Sequence, residues 1–114
     1  MNSKLTKYQL RKHREALNEK YLEKQLVFIT QNKPEILHSI HKYRVKYFNS
    51  YRNQFATIDI VSRLLNVSKR TVRLLAAQKY ISSLFLSSYS LFSLNDICDF
   101  IKSLEQTYLN VEWK

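Results

Sequence analysis

The sequence predicts a mostly α-helical domain: two long helices, a tight helix–turn–helix, a short β-hairpin and a closing helix. Three observations predict it. Apolar residues recur three and four apart through most of the chain. Capping residues stand at the heads of those runs. Between Tyr80 and Phe92 the spacing shortens to alternation around two adjacent serines, Ser87 and Ser88.

Thr6 followed by Gln9 has the form of a capping box, and Leu5 and Leu10 stand at the two positions of a hydrophobic staple, so a helix is expected from Lys7 to about Ile29. Leu10, Leu17, Tyr21 and Phe28 form its expected apolar stripe, with Arg11, Lys12, Arg14, Glu15, Glu19 and Lys20 around the rest. Asn32, Pro34 and Glu35 signal a second start. That helix is expected to run to roughly Tyr51 on a stripe of Ile36, Ile40, Tyr43, Tyr47 and Tyr51.

Thr57 opens a third helix, Ile58 to Leu65, and Asn66, Val67 and Ser68 interrupt it before a fourth from Lys69 to about Lys79. Asn66 tolerates the left-handed backbone such a turn needs. Residues 80 to 92 read as the hairpin. Ser93 caps the last helix, with Asp96 in its first turn and Ile97, Ile101, Leu104 and Tyr108 along one side. Residues 1–56 are thus a basic N-terminal helical extension and residues 57–114 the domain proper, within one unit whose 114 residues suffice for a single core.

Composition excludes much chemistry. The chain has no glycine, which removes the P-loop, the dinucleotide fingerprint, the nucleophile elbow and the calcium loop. Its one cysteine, Cys98, has no partner for an internal disulfide and reads as a small apolar residue. No signal segment or bilayer-length apolar run is present, so the chain is expected to be cytoplasmic. His38 and His41 lie three apart after Glu35 without a fourth ligand, and no nucleophile, base and orienter can be named. No metal, cofactor or catalysis is expected.

The formal net charge of +10 favours a polyanionic partner. Met1 to Ala56 holds 12 basic and 4 acidic side chains, Thr57 to Phe92 holds 5 and 1, and Ser93 to Lys114 holds 2 and 4. Glu15, Glu19 and Glu23 argue against the first helix lying on an anionic membrane.

Thr57 to Leu75, reading TIDIVSRLLNVSKRTVRLL, is the strongest motif. Val61, Leu64, Val67, Val72 and Leu75 have the spacing to lock two short helices together, leaving Lys69, Arg70 and Arg73 outward. Ser68 as N-cap would aim the helix start at a groove, and Thr71 adds a hydroxyl. These residues, together with the hairpin and helix that follow to about Leu104, resemble the winged helix-turn-helix of the MerR and excisionase-like family. The resemblance implies a mostly α winged helix-turn-helix with a short β-hairpin wing behind a two-helix extension. It also implies non-catalytic DNA binding, excisionase-like or regulatory, in a mobile genetic element. Family wings usually carry Arg or Lys, whereas Ile81 to Phe92 is uncharged. If Leu84, Leu86, Tyr89 and Leu91 pack on the helices, Phe85 and Phe92 point away, either toward a protein partner or beneath the N-terminal helices.

The run His41 to Phe55 interleaves Lys42, Arg44, Lys46 and Arg52 with Tyr43, Tyr47, Phe48, Tyr51 and Phe55. Cations that track phosphates beside rings that stack on bases suit single strands; the same tyrosines also fit a core or partner face. In size, charge and helix-turn-helix character the chain is similar to the small partners of primase-polymerases in staphylococcal cassette elements. That similarity implies the alternative function, a single-stranded-DNA-binding accessory subunit of a replicative polymerase, primase or helicase.

Overall fold

The capping box at Thr6 forms: its Oγ1 accepts from the Gln9 N–H at 3.1 Å, and the Gln9 Oε1 accepts from the Thr6 N–H at 2.9 Å. In the computed structural model, which describes residues 6–86 and 89–104, this box opens α1 (Lys7–Gln31). There follow α2 (Lys33–Lys46), a 3-10 turn at Tyr51–Asn53, β1 (Phe55–Ala56), α3 (Ile58–Leu65), α4 (Lys69–Ala77), β2 (Ser83–Leu86), β3 (Tyr89–Ser93) and α5 (Leu94–Leu104). Leu5, Ser87, Ser88 and Tyr108 lie outside the described residues.

The chain is mostly helical with a small antiparallel sheet in the order β1-β3-β2. One core joins all of it. Leu22, Leu26 and Ile29 of α1, Ile36 and Ile40 of α2, Val61 and Leu65 of α3, Val72 and Leu75 of α4, and Leu94, Ile97 and Ile101 of α5 are buried together. Burying each such side chain contributes roughly 1.5–3 kcal/mol.

Several expectations are corrected. The buried stripe of α1 is Leu22, Leu26 and Ile29, whereas Leu10 and Leu17 are exposed because, among the described residues, no element covers the first half of the helix. Asn32 both ends α1 and starts α2, as expected of it: its carbonyl accepts from the Ile36 N–H at 3.0 Å, but its side-chain amide donates back to the Phe28 carbonyl at 2.8 Å and does not cap α2. The second helix stops at Lys46, not Tyr51. The Asn53 amide donates to the Arg44 carbonyl there at 2.8 Å, and the Ser50 hydroxyl caps the 3-10 turn, accepting from the Arg52 N–H at 3.2 Å. The Thr57 hydroxyl does not cap α3.

Asn66 takes the left-handed conformation, φ 59°, that the turn requires. Its N–H reaches Arg63 O at 3.2 Å and the Val67 N–H reaches Ser62 O at 3.0 Å, the two bonds of a Schellman end. α4 ends the same way, but with Lys79 at φ 65°: Lys79 N–H to Ala76 O at 3.0 Å and Tyr80 N–H to Leu75 O at 2.9 Å. Two positive-φ helix ends are therefore built without glycine.

β1 was not foreseen. Phe55 and Ala56 pair with Ser93 and Phe92, and the Leu94 N–H continues the ladder to Gln54 O at 2.8 Å. The N-terminal part of the chain thereby forms one edge of the sheet. Ser93 does cap α5, its hydroxyl accepting from the Asp96 N–H at 3.3 Å, and the Ser82 hydroxyl donates to the Asp96 carboxylate.

The hairpin faces fall as the alternation requires, Ser83, Phe85, Ser90 and Phe92 on one side and Leu84 and Leu91 on the other. Burial follows distance from the helices instead of face. Phe92 and Leu91 at the base are 3% and 6% exposed, while Phe85, Leu84 and Tyr89 toward the tip are 71%, 51% and 51% exposed. Phe92 is core, packed with Ala56 and α5, and is corrected as a partner-facing residue; Phe85 is exposed as expected.

Candidate nucleic-acid interface

The head of α4 is where local sequence and tertiary packing meet. Ser68 caps the helix, its Oγ accepting from the Thr71 N–H at 3.2 Å. α1 then crosses that end. The Tyr21 hydroxyl lies 3.0 Å from the Ser68 Oγ and 2.8 Å from the Thr71 Oγ1, and the Thr71 hydroxyl donates to Gln25 Oε1 at 3.1 Å.

The Ser68 Oγ also lies 3.2 Å from the Thr71 Oγ1, so the three hydroxyls and the Gln25 amide form one connected network. The Ser68 hydroxyl, then Thr71 and at longer range the Arg70 guanidinium, lower the pKa of the Tyr21 phenol from its ordinary value against the opposing effect of burial.

Thr71 is fully buried, which corrects its placement as a contact to a nucleic acid. β-branched and polar, it faces α1 where a hydroxyl partner awaits it. The Ser68 hydroxyl is likewise engaged, by Tyr21 and by the Thr71 N–H. Lys69, Arg70 and Arg73 are all solvent-exposed, but two are held by neighbours. Arg70 donates from Nη2 to Asn18 Oδ1 at 3.0 Å and its guanidinium carbon sits 4.1 Å from the Tyr21 ring centre, a cation–π contact. Lys69 Nζ lies 2.5 Å from Asp59 Oδ1 on α3. That hydrogen bond and charge, with Arg63 and Arg73 farther off, lower the Asp59 carboxyl below its usual pKa. Arg73 remains exposed one turn on.

Asn18, Tyr21 and Gln25 stand three and four apart on α1, and the same row continues outward through Arg14 and Arg11, both exposed. A cationic line therefore runs along α1 to Arg70 and on to Arg73. Sequence reasoning missed Asn18, Gln25 and Asp59 because polar residues at helical spacing read as a solvated face.

The second basic run is divided by helix geometry. Arg44 is two residues from Lys42 and Lys46, hence on another side of α2. It lines a groove of ≈ 420 Å³ between α2 and α5 with Leu37, Phe48, Cys98 and Lys102. Cys98 is partly exposed there, not buried. Lys42 is exposed. Lys46 and Arg52 instead converge on Tyr47, at 5.5 and 5.2 Å from its ring centre, and the Tyr43 and Tyr47 rings lie 4.8 Å apart. Hydrogen bonding to Tyr51 first, and then to Tyr47, pushes the Arg52 guanidinium further toward its charged form. Tyr43, Tyr47 and Arg52, with Tyr51, Phe55 and Leu91, border a crevice of ≈ 280 Å³. Burial raises the Tyr43 phenol there.

No protein-family model, curated protein or solved structure matches the chain. Among the described residues no group of three or more His, Cys, Asp or Glu could hold a metal ion, and no helix is long and apolar enough to cross a membrane.

Proposed function

We propose that this chain is a non-catalytic, duplex-DNA-binding protein of the winged helix-turn-helix type, excisionase-like or regulatory, serving a mobile genetic element. The observation that carries the reading is the cationic line from Arg11 and Arg14 on α1, past Arg70, to Arg73 on α4. α3 and α4 supply the motif, and α1 lengthens it. Because the Ser68 hydroxyl is engaged by Tyr21, exposed side-chain cations would carry the phosphate contacts. Arg70, fixed by Asn18 and Tyr21, would act as a preset donor.

The test is a titration of the full chain against labelled duplex and single strand at two salt concentrations. Duplex preference with a steep fall in affinity at the higher salt supports the reading; no duplex binding removes it. Preference for single strands would favour a second reading, an accessory subunit of a replicative polymerase or primase that holds unpaired template. The ring-and-cation crevice at Tyr43, Tyr47, Tyr51 and Arg52 supports it, since exposed Tyr51 beside Arg52 suits base stacking.

A further inference from the structure

We propose that β2 is a homodimerisation edge, joining two copies of this chain through antiparallel β2–β2 pairing centred on Leu84. In the order β1-β3-β2, the outer side of β2 meets no other strand among the described residues. Such edges are ordinarily blunted by charge, proline or a bulge. The whole run from Ile81 to Phe92 contains no charged residue, no proline and no glycine, in a chain of net charge +10.

The backbone sets the register. The Leu94 N–H points to β1, so in an alternating strand Leu91 and Tyr89 point to β2. Their partners Leu84 and Leu86 then point back to β3. Ser83 and Phe85 are left to present N–H and C=O outward. In an antiparallel pair about a two-fold axis, Ser83 of one copy would face Phe85 of the other in two reciprocal hydrogen-bonded pairs, with Leu84 opposite Leu84 of the second copy at the axis.

The side chains agree with this pairing. Leu84 and Phe85 are exposed on opposite faces of the sheet, so a second strand covers apolar surface on both faces at once. Charge selects the occupant. On the cationic surfaces of α1, α2 and α4 two such chains bring lysine and arginine face to face, whereas the hairpin lets identical copies approach with no like charges across the contact. Raising salt should therefore strengthen the dimer, opposite to its effect on DNA binding.

Sedimentation velocity of the full chain without nucleic acid, over a concentration series, tests this separately from the DNA-binding reading. The wild type should pass from monomer to dimer as concentration rises. Leu84→Lys and Leu84→Glu, both at an exposed position, should each stay monomeric with an unchanged circular dichroism spectrum, and an equimolar mixture of the two should recover a dimer. A wild type that is monomeric at every concentration overturns the proposal. So does a dimer that survives Leu84→Lys, or one abolished by Leu17→Lys on α1 instead.

Discussion

The Tyr21 hydroxyl lies 2.8 Å from the Thr71 Oγ1, linking residues 50 positions apart and fastening α1 across the head of α4. Because Thr71 is buried, this bond has no ready replacement by water. Tyr21→Phe takes a hydroxyl partner from the buried Thr71 while keeping the ring under Arg70. The expected loss is about 1–3 kcal/mol in urea unfolding, with the helical circular dichroism signal unchanged before the transition.

Arg70 and Arg73 should behave differently although they sit on one helix. Arg73→Ala should weaken duplex binding and reduce the salt slope by about 1, as loss of one phosphate contact does, with stability unaltered. Arg70→Ala should weaken binding and also lower the unfolding midpoint, because it removes the contacts to Asn18 and Tyr21. Anisotropy titration and thermal melting of both variants separate the two effects.

Asp59 holds Lys69, and its carboxyl is below its ordinary pKa in the folded chain. A group so depressed contributes stability that is present above the unfolded carboxyl value of about 3.9 and is lost as pH falls through the folded value. Asp59→Asn should flatten the acid side of the stability profile slightly and leave neutral pH nearly unchanged, the pair being exposed. The same substitution releases Lys69 and deletes a negative charge, so duplex affinity should rise.

Lys79 occupies a left-handed position that glycine fills without steric cost. Lys79→Gly should raise stability by about 0.5–1 kcal/mol in chemical denaturation. The mirror experiment is Asn66→Val, which places a β-branched residue at φ 59° and should destabilise the α3–α4 turn.

Much of this fold was legible locally. The Thr6 box, the Asn66 turn, the Ser68 and Ser93 caps and the alternating hairpin each depend on residues within a few positions of one another, which a sequence displays directly. What failed depends on partners far along the chain. Leu10 and Leu17 match a helical stripe but are exposed, since no element among the described residues covers that part of α1. Two-residue β1 carries too little pattern to be seen apart from β3. At the candidate site the cations of α4 are exposed, as their spacing predicts, while the burial of Thr71 is invisible in the sequence because only the fold brings Tyr21 and Gln25 to it. Alternation gives the face of Phe92 but not its depth, and its place at the hairpin base buries it.

The exposed half of α1 also sets how much nucleic acid the protein could cover. At 1.5 Å per residue, Lys7 to Leu17 extends about 16 Å, which at 3.4 Å per step corresponds to about five base pairs beyond what α4 alone would touch. The footprint of a monomer should accordingly be lopsided, protected further on the side where α1 projects, and a deletion of that half would shorten it from one end only.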